Sequence, residues 1–93
     1  MADTRNSTQL FNIWELAEQA GVSRRTVHYY VKEGLLPPPD GRGRNARYRE
    51  EHLLKLVLIG LLKKSVPLRL EGIRELISPM GPGALRREIR KLG

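Results

Sequence analysis

The sequence predicts a mainly α domain. It reads as a helix-turn-helix, a small two-stranded wing and then two or three further helices, four to five helices in all. Three observations predict it. Two short amphipathic segments over 13–33 are each closed by a glycine, Gly21 and Gly34. The stretch 35–49 holds Pro37, Pro38, Pro39, Gly41 and Gly43, which forbid a helix. Glu50 to Lys64 is a long segment rich in leucine, with no proline.

Residues 1–10 are polar and without periodicity, and read as a flexible N-terminal arm. The first helix begins after Asn12. Asn12 with Glu15 three residues on forms a capping box, which satisfies two otherwise free amide donors. Ile13, Leu16, Ala17 and Ala20 follow at helical spacing. Gly21 ends that helix, because glycine takes the left-handed conformation at low cost. Ser23 is a good N-cap for a second helix over about 24–33. Its apolar positions are Val27, Tyr30 and Val31. Arg24, Arg25, His28, Tyr29 and Lys32 fall mainly on the other face. Helix, glycine-containing turn and basic helix together form the pattern of a helix-turn-helix.

In the segment that follows, Leu35 and Leu36 are expected to enter a short strand. Ala46 to Arg49 are expected to return as its partner, with Tyr48 facing inward. The tip between them carries Arg42, Arg44, Asn45 and Arg47. Glu50 to Lys64 is the strongest helix, with acids in its first turn and lysines in its last, which complements the macrodipole. Pro67 stops it. A fourth helix is expected over about 70–77, with Ile73, Leu76 and Ile77 inward. Residues 78–93 read as a basic tail or a short helix carrying Leu85, Ile89 and Leu92 on one side.

The 93 residues suit one domain. The formal charge is +7, and it is concentrated: residues 24–49 alone carry +5, and the last ten carry +3. That distribution favours a polyanion-binding surface over dispersed solvating charge. The absence of cysteine excludes disulfides, thiolate zinc sites and a cysteine nucleophile. The longest apolar run, Leu56 to Leu62, is far short of the roughly 20 residues a membrane span needs. Met1 to Gln9 are polar, so no signal peptide is expected. The chain reads as cytoplasmic. No cofactor, metal or small-molecule site is evident. No glycine-rich phosphate loop or acid–base pair suggests an enzyme.

The stretch Leu16 to Tyr30 (LAEQAGVSRRTVHYY) resembles the MerR family of transcriptional regulators. Gly34 to Pro38 (GLLPP) and Arg47 to Leu53 (RYREEHL) continue the likeness, and Ile73 to Ile77 is similar to that family's fourth helix. The resemblance covers residues 11–77. It implies a winged helix-turn-helix that binds double-stranded DNA, bacterial and nucleoid-associated, with the second helix in the major groove. Arg24, Arg25, Thr26 and His28 would then approach base edges or phosphates. Ser23 and the helix N-terminus favour a phosphate, and Tyr29 would donate to one. Lys32 lies on the same basic face. Arg42, Arg44, Asn45 and Arg47 on the wing would reach flanking DNA. Lys63 and Lys64 match a second basic corner of the family.

Three departures bear on what the resemblance implies. His28 stands where the family often has arginine. Arg49 stands where serine commonly precedes the third helix. Family members usually continue into a long helix that pairs two subunits, whereas the 16 residues after Ile77 include Pro79, Gly81, Pro82 and Gly83. The chain is therefore expected to be either the DNA-binding part of a larger regulator or a short member acting as a repressor or architectural protein.

Leu54, Val57 and Leu61 form an additional apolar stripe on the third helix. It would face a second protomer or partner protein, or be covered by the C-terminal segment folding back. Trp14 is expected in the core, with contact to a partner as the second reading, and His52 on the surface. Two other functions suit the same pattern: an excisionase-like architectural DNA-binding protein, and a protein-interaction module. RNA binding is disfavoured because the aromatics are too few and too scattered for a stacking platform.

Overall fold

The computed structural model describes residues 9–65 and 67–93. The arm expected over 1–10 lies outside the described residues as far as residue 8. Five α-helices and one two-stranded sheet make up the described part. Helix α1 (Ile13–Ala20) opens on the expected capping box. Glu15 N donates to Asn12 Oδ1 at 2.8 Å, and Asn12 N donates to Glu15 Oε1 at 2.9 Å. Gly21 closes it at φ 71°. Helix α2 (Arg24–Lys32) opens on Ser23, whose Oγ accepts from Thr26 N at 3.0 Å. Gly34 follows it at φ 81°. Arg74, from a later helix, donates to the Glu33 carbonyl at 2.9 Å and so satisfies one of the acceptors left open at the end of α2.

The wing is built differently from the expected pairing of 35–36 with 46–49. Strand β1 (Leu10–Phe11) pairs antiparallel with strand β2 (Tyr48–Arg49), in the register Leu10 to Arg49 and Phe11 to Tyr48. Leu10, assigned to the arm from sequence, is thus the first residue of a strand. The reason is donor availability. The amides of Leu35 and Leu36 both donate to the Tyr30 carbonyl, at 2.9 and 3.2 Å, and both side chains are buried. Pro37, Pro38 and Pro39 have no N–H to offer. Asp40 is the first residue with a free donor, and there the chain forms an isolated bridge with Arg47, through bonds of 2.9 and 2.7 Å. Between them lies a single 3-10 turn, Gly43–Asn45. Gly41 is required there: at φ 83°, an added Cβ would also sit 2.9 Å from the Asn45 carbonyl oxygen.

Helix α3 (Glu50–Ser65) is the central helix, and His52 in its first turn is buried rather than on the surface. Its Nδ1 accepts from Arg49 N at 2.9 Å, and its Nε2 donates to the Pro37 carbonyl at 2.9 Å. One imidazole therefore ties the returning wing strand to the loop that leaves α2. The bond to the Arg49 amide is the half of a capping box in which the third helical residue reaches back to the N-cap amide. These roles need the neutral ring with its proton on Nε2. Burial holds the His52 imidazole below its ordinary value of 6.5, against the opposing pull of the Pro37 carbonyl and Glu51. A histidine more acidic when folded binds fewer protons than in the unfolded chain, so stability falls as pH drops. The contribution is complete above about pH 6.5 and is lost through the lowered folded value. Urea midpoints measured from about pH 7.5 to 5 should decline in the wild type and flatten in His52→Gln.

Helix α4 (Leu70–Ile77) buries Ile73 and Ile77. Leu76, expected inward, is 44% exposed, because it lies to one side of the seam made by Leu70, Ile73 and Ile77. Helix α5 (Pro82–Leu92) packs along α3. Leu85 is fully buried, Ile89 and Leu92 pack against the core, and Arg86 pairs with Glu50 at 2.6 Å. Leu54 packs at the core margin, and Val57 and Leu61 are half-buried. Lys55 is buried along its stem, with its amine 3.2 Å from Glu51.

Candidate nucleic-acid interface

The basic residues of α2 occupy one exposed surface because the helix must turn Val27 and Tyr30 inward. The side chains left outside include Arg24, Arg25, His28, Tyr29 and Lys32, all exposed. Ser23 and Thr26 engage each other as well as the cap, with their hydroxyl oxygens 3.0 Å apart. The cap thus fixes the first turn from which Arg24 and Arg25 project. A helix N-terminus adds fixed positive potential at that point.

The wing faces the same region. Arg24 and His28 from α2, with Arg42 and Arg44 from the wing, line one cleft of about 360 Å³. Ser23, Arg24, Arg25 and His28 line an adjoining surface cleft. Thr26, Lys63 and Lys64 line a third, beside the turn between α1 and α2. Lys63 Nζ donates to the Tyr30 hydroxyl at 3.3 Å. Tyr29, Lys32, Asn45 and Arg47 line none of these three. Arg47 is half-buried and turned back on the wing, donating to the carbonyls of Ala46 at 3.0 Å and Arg44 at 3.3 Å. It stiffens the tip that presents Arg44. Arg49, outside the predicted set, pairs with Asp40 at 2.7 Å and holds the base of the wing.

Trp14 is 52% exposed, not in the core. It lines the first two clefts, and the Arg24 guanidinium lies 5.3 Å from the centre of its ring. A signal for this was present in the sequence. The inward stripe of α1 runs through Ile13, Leu16 and Ala17, and Trp14 falls beside it. Among the described residues, no three His, Asp or Glu side chains are grouped to hold a metal ion, and no helix is long and apolar enough to cross a membrane.

A basic helix after a glycine turn, flanked by a basic wing, agrees with what comparison with known proteins finds. A family model described as "MerR HTH family regulatory protein" matches residues 11–79. The chain is 34% identical over 68 residues to the uncharacterised HTH-type transcriptional regulator YyaN of Bacillus subtilis, covering 73% of this chain and 49% of that protein. It is 33% identical over 81 residues to the HTH-type transcriptional regulator CueR of the same organism, covering 87% of this chain and 56% of CueR. The crystal structure of the transcription regulator PbrR691 from Ralstonia metallidurans, in complex with lead(II), superposes with a TM-score of 0.66 at 30% identity, over 87% of this chain and 67% of that one. The chain spans about half the length of the curated relatives it matches. Its winged helix-turn-helix fold and these matches make it a member of the MerR HTH family, a family of transcriptional regulators and not of enzymes.

Proposed function

We propose that this protein is a sequence-specific transcriptional regulator of duplex DNA, acting in the bacterial cytoplasm at the nucleoid. The carrying observation is that Arg24 and His28 of α2 line one cleft together with Arg42 and Arg44 of the wing. Two separate elements thereby present cations to one polyanion. In this reading α2 enters the major groove, which is ~12 Å wide and admits a helix. Helix α1 crosses the backbone, as the first helix of such motifs does. Arg25 offers a guanidinium fork that matches the two acceptors of guanine, Arg24 meets a nearby phosphate, and Thr26 and His28 supply shorter contacts. Ser23 and the free amides behind it take a phosphate. Tyr29 and Lys32 meet the backbone farther along α2. Arg42, Arg44 and Asn45 meet flanking DNA, with Arg47 bracing them. Lys63 and Lys64 contact phosphate at the far corner.

Affinity is measured by anisotropy of a labelled duplex across a salt series. Phosphate neutralisation releases counterions, so binding should fall steeply with salt. Arg44→Ala should weaken binding to every sequence alike and reduce the salt slope by about one. A mutant that binds with wild-type affinity and slope would remove the wing from the interface. Family regulators typically pair, and Val57 and Leu61, half-buried beside α5, are the surface on which we place a second protomer or partner protein. Sedimentation at rising concentration tests that pairing. An unchanged monomer with and without DNA contradicts it.

A further inference from the structure

Trp14 is the one large aromatic side chain that the fold leaves beside the basic cleft without placing it in the core. More than half its surface is exposed, and the Arg24 guanidinium lies 5.3 Å from its ring centre. It stands on α1, an element to which the reading above gives only a crossing of the backbone. We propose that Trp14 is itself a DNA-contacting residue. Its indole packs against a deoxyribose of the strand that passes between α2 and the wing, and Arg24, held over the ring, meets the adjoining phosphate. This inference rests on the duplex-DNA reading of the same face.

The occupant follows from the chemistry of the cleft. Its inner wall includes apolar Val31 and the buried Tyr48, and its rim carries Arg24, Arg42 and Arg44. No carboxylate is among the described residues lining it. A ligand that suits this arrangement has an uncharged body flanked by anions, which is a sugar between two phosphates. Indole is the aromatic ring that holds a cation best, so Trp14 also limits where Arg24 can point. The contact would be indifferent to sequence. It would set the depth at which α2 sits in its groove.

Trp14 is the only tryptophan in the chain, so its fluorescence reports on this position alone. Acrylamide quenching is compared in the free protein and with saturating random-sequence duplex at low salt, with binding followed separately by anisotropy of a labelled copy. Trp14 should become several-fold less accessible on binding. Trp14→Ala should weaken binding about tenfold and Trp14→Phe about threefold, at unchanged urea midpoints. Undiminished quenching in a complex that anisotropy shows to be formed would overturn the proposal and leave the DNA reading standing. No rise in anisotropy at all would overturn both. Should Trp14→Ala prove unstable, the wild-type quenching result decides the matter alone.

Discussion

Leu85→Ala should destabilise the domain by about 3 kcal/mol, the largest stability effect expected of any substitution in the C-terminal segment. Leu85 is fully buried, although it stands in an 11-residue helix beyond the segment that most resembles the family. Such a helix is marginal alone in water. Its N-cap, Gly81, makes no side-chain cap bond. Helix α5 is therefore held by its packing on α3, and Leu85 is the centre of that packing. A domain of this size has roughly 5–15 kcal/mol in total. One truncated leucine consequently removes a large share, and the urea midpoint should drop clearly. Leu76→Ala, at 44% exposure, is the matched control and should stay within about 0.5 kcal/mol of wild type. Equal effects at the two positions would mean that α5 is not seated on α3 in solution.

Arg25→Ala should cost about 1–3 kcal/mol on a preferred site and relax the preference for that site. Arg25 lies in the first turn of α2, exposed, on a turn that Ser23 and Thr26 lock in place. A guanidinium projecting from that turn is the group best placed to read a base edge. A phosphate contact would weaken all sequences equally, as expected for Arg44→Ala. The two substitutions therefore separate reading from anchoring. Competition between a preferred and a scrambled duplex checks it. The ratio of affinities should shrink several-fold for Arg25→Ala and hold for Arg44→Ala.

The helices were readable because their ends carry local chemistry. Asn12 with Glu15, Ser23, Gly21 and Gly34 each fix a boundary within a few residues of themselves, and the structure has each of them in that role. The basic face of α2 was readable for a related reason, since inward Val27 and Tyr30 dictate what remains outside. The wing was only half readable. Proline and glycine announce a non-helical loop, but the choice of partner strand depends on which amides are already spent. Leu35 and Leu36 give theirs to the end of α2. A two-residue strand such as Leu10–Phe11 has no alternation to detect. His52 was misplaced because its burial depends on two groups brought together only in three dimensions, the Pro37 carbonyl and the Arg49 amide. Trp14 falls beside the inward stripe of Ile13, Leu16 and Ala17, so its position on α1 leaves it exposed at the clefts rather than in the core.

The central claim is that α2 and the wing together read a DNA sequence. Selection of bound duplexes from a random pool at near-physiological salt, followed by sequencing, tests it most directly. The account predicts recovery of a motif, an inverted repeat if two protomers pair and a single half-site if one binds alone. Retained, salt-sensitive binding without any enriched motif would contradict it.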